Sequence, residues 1–283
     1  MFVMDVDKAV FIDLDGTMLT DKYELSPRTI EAVNRIKTLG YETVVCTGRA
    51  FNRAKQYSIA LGGKYIIFAN GGGIYDCQTK KVLHENAMSK SEILELYGTA
   101  KRNNVDVWYN SGGTRWVMDE NSPTNKGIAN VPQKVIKEPL ETWLDTNKVL
   151  KLIIVSPDFE AIQNIKETIE KTLLPKLLKV KMIEQSKSLS DKSFPKERFT
   201  FYSLANVDSS KGDGVRRLCK MLRISKENRI GIGDDINDFS LFEECGYSVA
   251  VGNALPELKK VANYVTADNN SDGVAKFLET LTK

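Results

Sequence analysis

Two aspartates, Asp13 and Asp15, stand one residue apart where the apolar run of "KAVFIDLDGTMLT" (Lys8–Thr20) gives out. Carboxylates are among the groups least often buried in proteins. A strand sends alternate residues to the same side. Strand geometry carried a little past Ile12 therefore puts Asp13 and Asp15 on one side and turns Leu14 away. Like charges so close repel, and each raises the other's pKa. A bound cation or a shared chemical task resolves that conflict. The Gly-Thr that follows suits a tight turn whose backbone N–H groups can face an anion.

Three further polar groups end apolar runs that read as strands: Thr47-Gly48-Arg49, Asn70-Gly71, and Gly233 to Asp238 in "GDDIND". In open parallel α/β sheets, ligands bind outside the carboxyl ends of the strands. The four groups come from distant stretches of sequence, yet such a sheet brings them to one rim, which is the geometric case for an active site. Each fragment alone also has an ordinary reading. An Asp at a strand end serves as an N-cap or turn residue, Thr-Gly before a helix is common, acidic loops are solvated caps, Lys211 near a helix start reads as exposed, and the glycines of "NGGG" can serve a turn alone.

The elements that would position these groups alternate in both outer stretches. "AVFIDLD", "YETVVCTG" and "YIIFANG" read as strands separated by helices. The first helix has Ser26 as N-cap, Pro27 at its first position and Gly40 as its stop. Near-continuous apolar strands in strand–helix–strand order predict a parallel sheet covered on both faces. From Asn206 the alternation returns, with "DSSKGDGVRRLCKML" and "INDFSLFEECG" as helices around the strand "RIGIGDD". Between them, a helix, a hairpin-like pair ("VDVWYNSGGTRWVMD"), a strand, an amphipathic helix and two strands form an α+β module. "ENSPTNKGIANVP" and "SKSLSDKSFPK" read as polar loops. The expected organisation is an α/β core from residues 1–83 and 206–283, with an α+β domain inserted over 84–205.

The 283-residue chain is 42% hydrophobic and 27% charged, the composition of a globular protein. Its net charge of +3, with no basic block, speaks against nucleic acid. No apolar run approaches the length of a membrane span. Asp5 and Asp7 stand where a signal peptide carries positive charge. Cys46, Cys77, Cys219 and Cys245 form no close-spaced pair, so they read as reduced residues of a cytoplasmic protein. A single histidine, His84, reads as structural and nearly excludes a His-based triad. Catalysis is left to carboxylates, hydroxyls and lysine.

"DLDGT", "TGR", the Lys-Gly of "SSKGDGV" and "GDDIND", in that order, resemble the four motifs of the haloacid dehalogenase superfamily. The resemblance is nearest to its Cof-type phosphatases, which carry an α+β cap between the second and third motifs, and it extends to "SVAVGNALPELKKVANYV" and "SDGVAKFL". "NGGG" departs from the subfamily's usual Asn-Gly-Ala. The resemblance implies a Rossmann-like core and a Mg²⁺-dependent phosphatase acting on a small phosphorylated metabolite, such as a sugar phosphate. It implies Asp13 as nucleophile, Asp15 as general acid and base, and Lys211 as the charge balancing nucleophile and phosphoryl group. Thr47, Gly48, Lys211, Asn70 and Gly71 would bind the phosphoryl group. Asp13, the Asp15 backbone carbonyl and Asp234 would ligate Mg²⁺, with Asn237 and Asp238 around them. The cap would set specificity, and the protein would be a monomer or weak dimer. A phosphomutase uses the same motifs, and dependence on a bisphosphate activator would reveal one. A catalytically silent binding protein would fail to turn over a generic phosphate ester.

Overall fold

The computed structural model describes residues 7–126, 133–177, 180–186 and 199–282. Residues 127–132, about half of the first stretch read as a polar loop, and 187–196, nearly all of the second, lie outside them; the described part of the first holds a short helical turn at Pro123–Lys126 where the sequence predicts a loop. The first stretch contains β1 (Lys8–Ile12), α1 (Pro27–Lys37), β2 (Tyr41–Cys46), α2 (Phe51–Ala60), β3 (Tyr65–Phe68), β4 (Gly73–Asp76) and β5 (Lys81–Glu85). Then come α3 (Lys90–Arg102), β6 (Asp106–Ser111), β7 (Thr114–Val117), α4 (Pro123–Lys126), β8 (Gln133–Val135) and α5 (Leu140–Trp143). They are followed by β9 (Val149–Ser156), α6 (Phe159–Thr168), β10 (Val180–Ser186) and β11 (Thr200–Asn206). The last stretch holds α7 (Lys211–Leu222), β12 (Arg229–Gly233), α8 (Phe239–Glu243), β13 (Tyr247–Ala250), α9 (Pro256–Val261), β14 (Tyr264–Val265) and α10 (Gly273–Thr280). The chain divides into two compact units, Met1–Glu85 with Ser209–Lys283, and Asn86–Asp208.

The first unit is built on an eight-stranded sheet in the order β14-β13-β12-β1-β2-β3-β4-β5. Strands β14 through β3 run parallel. The central strand β1 is wholly apolar past Lys8 and buried from Ala9 to Ile12, as a strand covered on both faces requires. Helix α1 begins as its sequence dictates: Ser26 Oγ accepts the Thr29 N–H at 3.1 Å, and Pro27 occupies the first turn, where a missing N–H costs nothing. Gly40, at φ 85°, stands beyond its end.

Two further features differ from expectation. The sheet does not end at β3: "GGGIYDCQTKKVLHE" folds as the antiparallel pair β4–β5 on its edge. The turn is stabilised by Asp76, whose Oδ1 accepts from the N–H groups of Gln78 and Thr79 at 2.8 and 3.0 Å. His84 sits on β5 opposite Ile74. The stretch read as one helix over "INDFSLFEECG" is instead a tight turn at Ile236–Asp238 followed by the short α8, because the Asp235 side chain caps that turn through the Ile236 N–H at 2.7 Å.

The second unit is a six-stranded sheet in the order β10-β11-β9-β6-β7-β8, antiparallel except for β7–β8. Alternation along its strands separates two cores. Tyr109, Leu152, Ile154, Tyr202 and Leu204 pack with Ile93 and Leu96 of α3 and Ile162 and Ile165 of α6, while Trp108, Val155, Phe199 and Phe201 form a second cluster. Cys46, Cys219 and Cys245 are buried, Cys77 is partly so, and all four are free thiols. Among the described residues, no helix is long and apolar enough to cross a membrane.

Candidate active site

From β1 the first stretch of chain builds outward through β2 and β3, whereas the last stretch starts beside β1 at β12 and builds the opposite way. The carboxyl ends of β1 and β12 are therefore the switch point of the sheet, where open α/β sheets form a crevice. The Asp13 N–H bonds the Ile232 carbonyl at 3.1 Å, which carries the pairing one residue past β1 and delivers Asp13 to that crevice beside Asp234. The chain then turns sharply. Gly16 lies at φ +73°, and a Cβ there would stand 2.3 Å from Asp234 Oδ2, so a side chain at this position would strain the turn and displace the Asp234 carboxylate. Buried Thr17 donates its hydroxyl to Asp234 Oδ1 at 2.6 Å. Asn253 donates from Nδ2 to the Gly16 carbonyl at 2.7 Å, and Asn269 does the same to the Leu19 carbonyl at 3.0 Å. The C-terminal stretch thus pins the turn that follows Asp13.

Lys211 opens α7. The Ser210 Oγ accepts the Asp213 N–H at 3.1 Å while Asp213 Oδ2 accepts the Ser210 N–H at 3.0 Å, a reciprocal cap that fixes the first turn. The Lys211 side chain is 0% exposed, and its Nζ lies 2.8 Å from Asp13 Oδ1 and 2.6 Å from Asp238 Oδ1. The second oxygen of Asp238 accepts from the N–H groups of Asp234 and Asp235 at 2.9 and 3.1 Å. Burial alone would lower the Lys211 pKa, but the charges of Asp13 and Asp238 more than offset it and hold the ammonium protonated. Burial raises the Asp13 pKa well above the usual range; Asp238, Asp234 and Asp15 raise it further, against the pull of Lys211. Asp234 is pushed up to about 7, first by burial and then by the Asp238 charge, with the Thr17 hydrogen bond opposing.

Negative charge is thus concentrated here beyond what Lys211 neutralises. Carboxylate oxygens of Asp13, Asp234 and Asp238 lie within 4.8 Å of one another, an all-oxygen set that could hold a hard divalent cation. The raised pKa values of Asp13 and Asp234 fit a site that calls for such a charge.

Thr47 follows β2 and is buried; its Oγ1 accepts the Arg49 N–H at 3.1 Å. The Asn70 N–H returns to the Thr47 carbonyl at 3.0 Å, and Asn70 Oδ1 accepts from Asn237 Nδ2 at 3.0 Å. Gly48 stands against this junction, where a Cβ would be 3.0 Å from Asn70 Oδ1. With the pairing of Arg49 and Asp15, all four expected clusters are joined by direct contacts. Gly71, at φ +82°, packs on the start of α7, where a Cβ would fall 1.9 Å from the Ser210 carbonyl oxygen. Its visible task is to let the β3 loop approach the helix that carries Lys211. The Asp15 side chain stands outside the acidic trio and pairs with Arg49.

Thr17, Arg49, Asn253 and Asn269 are contributors that the motif reading leaves without a task. Thr17 and Arg49 sit inside "DLDGT" and "TGR", so their proximity to the site is legible. Asn253 and Asn269 act across more than 230 residues of sequence, and no local pattern marks them.

The profile of the haloacid dehalogenase-like hydrolases matches residues 10–278. The chain is 28% identical to a pyridoxal phosphate phosphatase, YbhA, of Escherichia coli over 96% of this chain and 97% of that protein. It is 27% identical to a 5-amino-6-(5-phospho-D-ribitylamino)uracil phosphatase, YwtE, of Bacillus subtilis over 97% of this chain and 98% of the other. A haloacid dehalogenase-like hydrolase of Bacteroides thetaiotaomicron, 25% identical, superposes with a TM-score of 0.80 over 97% of this chain and 99% of that one. With the fold, the switch-point carboxylates and the matched span in agreement, the chain belongs to the haloacid dehalogenase-like hydrolases, as a phosphoric monoester hydrolase.

Proposed function

We propose that the chain is a Mg²⁺-dependent phosphatase of a small phosphorylated metabolite, working through a phosphorylated Asp13, with a sugar phosphate the first substrate to test. The observation that carries this reading is the buried Lys211 bridging Asp13 and Asp238 at 2.8 and 2.6 Å. A cation at that point holds one oxygen of Asp13 and leaves the carboxylate poised at the mouth of the crevice. Asp13 Oδ2 attacks phosphorus, the bond from phosphorus to the ester oxygen breaks, and Asp15 gives that oxygen its proton. Asp15, now a carboxylate, takes a proton from water; the hydroxide attacks phosphorus, the aspartyl–phosphate bond breaks, and inorganic phosphate leaves with Asp13 regenerated. Lys211, the Thr47 hydroxyl, Asn70 and the backbone N–H groups near Leu14, Gly48 and Gly71 orient the phosphoryl oxygens and offset their charge.

Mg²⁺ would be held by the carboxylates of Asp13 and Asp234 and the Asp15 backbone carbonyl, with Asn237 and Asp238 orienting that set. When bound, it supplies the charge that lets a carboxylate approach a phosphate ester. The hydrogen bonds that occupy both oxygens of Asp238 support its orienting part. Chelation by EDTA should abolish turnover and Mg²⁺ restore it, with Ca²⁺ a poor substitute because its coordination is looser. Mg²⁺ should also raise the Tm of the wild type and not that of Asp234→Asn. Full activity after exhaustive chelation would contradict the reading.

Discrimination among substrates is assigned to the inserted unit. A panel of phosphorylated metabolites, assayed by kcat/KM, should show a preference that collapses when residues 86–208 are replaced by a short Gly/Ser linker, once folding of the remaining core is confirmed. An unchanged order of preference would place specificity in the core.

A further inference from the structure

Asp15 is 45% exposed at the side chain. Its backbone is extended, at φ −76° and ψ 123°, and the next residue is a glycine. Repulsion from Asp13 would swing such a carboxylate away. It is instead gripped by a fork: Arg49 Nε donates to Oδ2 at 2.7 Å, and Arg49 Nη2 donates to Oδ1. The guanidinium is itself immobilised. Its side chain is only 10% exposed, with the rings of Tyr23 and Tyr57 at 5.5 and 5.2 Å from Cζ. Nη1 donates to the Tyr57 hydroxyl at 3.4 Å, and that hydroxyl donates to the Tyr23 carbonyl at 3.3 Å. The backbone of Arg49 is tied at both ends, its N–H to Thr47 Oγ1 at 3.1 Å and its carbonyl to the Ala69 N–H at 2.9 Å.

From this geometry we infer that Arg49, seated between Tyr23 and Tyr57, is a positioning residue that aims the Asp15 carboxyl group at the leaving oxygen of the ester. The inference rests on the reading of Asp15 as general acid. A fork fixes the plane of a carboxyl group as a single charge cannot, and each oxygen keeps a lone-pair direction for a second partner. Three of the five N–H donors of the guanidinium are engaged, from Nε and Nη2 to Asp15 and from Nη1 to Tyr57. A half-exposed ion pair contributes little to stability, so holding the fold is a poor account of so elaborate a seat.

The test compares wild type, Arg49→Met, Arg49→Lys and Asp15→Asn in kcat/KM for substituted phenyl phosphates, from p-nitrophenyl to phenyl, with Tm measured for each. This parameter covers the steps up to transfer of the phosphoryl group to Asp13, where only the acid role of Asp15 counts. For Arg49→Met we expect a loss of about tenfold or less with p-nitrophenyl phosphate, rising to about 100-fold with phenyl phosphate, which needs the proton. Arg49→Lys should fall between, and it carries the test where Arg49→Met does not fold. A loss equal across the series, or a raised KM with kcat retained, would overturn the inference. Asp15→Asn separates the two levels. If its own loss grows with poorer leaving groups while that of Arg49→Met and Arg49→Lys stays flat, only the inference fails. If its loss too is flat, the acid assignment fails with it.

Discussion

The rim of the parallel sheet and the antiparallel sheet of the inserted unit bury their side chains on different terms. At the rim, Asp13, Thr17, Thr47, Asn70, Lys211 and Asp238 are all buried, and each has a named partner within hydrogen-bonding distance or a charge beside it. In the inserted sheet, the core a residue enters follows the period of two, with Tyr109, Leu152 and Ile154 in one and Trp108 and Val155 in the other. A conservative exchange at the rim removes a charge or a donor that no neighbour replaces. A conservative exchange in the inserted sheet changes a volume. Chemistry fixes residue identity in the first region, and packing fixes only residue class in the second.

The sharpest way to break that contrast is Asp13→Asn. It keeps the shape and removes the proposed nucleophile, so turnover should fall by at least about 10⁴-fold. Because burial and three neighbouring carboxylates already disfavour the ionised form of Asp13, the variant should melt no lower than wild type. Lys211→Met comes next. It leaves Asp13 and Asp238 buried without their cation, and should cost about 3–5 kcal/mol in urea unfolding and about 10³-fold in kcat. A variant of normal stability would mean that the bridge is not the support of the site. Gly16→Ala should lower kcat by about 100-fold and weaken Mg²⁺ binding by calorimetry, since the new Cβ would lie 2.3 Å from Asp234 Oδ2 at a φ that alanine rarely adopts. The smallest effect on turnover belongs to Ile154→Ala, a cavity in the inserted core. It should cost about 2–5 kcal/mol of stability, yet leave kcat for p-nitrophenyl phosphate within about twofold below its melting range. A large loss there would erase the distinction between the regions.

The same contrast explains what could be read in advance. The β1, β2, β3 and β12 strands are continuous apolar runs ending in chemically specific residues, so both the sheet and its rim were visible in the sequence. Lys211 was visible only through its motif, because its burial depends on contacts with Asp13 and Asp238, 198 and 27 residues away. The β4–β5 pair was hidden by the glycines of "NGGG", which read as a turn while Gly73 in fact begins a strand. The part of Arg49 was hidden for a different reason. Its partners Asp15, Tyr23 and Tyr57 come from two segments whose approach only the folded loops define. The inserted sheet was legible as a pattern, with its hairpin turning at Gly112 and Gly113. That pattern fixes which residues are buried.

The central claim, that Asp13 carries the phosphoryl group between ester and water, is tested most directly by trapping it. Asp15→Asn, mixed with Mg²⁺ and p-nitrophenyl phosphate and quenched in acid, should accumulate phosphoenzyme, because the leaving group departs unaided while the water-activating base is gone. Mass spectrometry of the tryptic peptide Ala9–Lys22 should then show the mass of one phosphoryl group, assigned by fragmentation to Asp13. Steady release of p-nitrophenol with that peptide unmodified throughout, or with the phosphoryl group on another residue, would contradict the account.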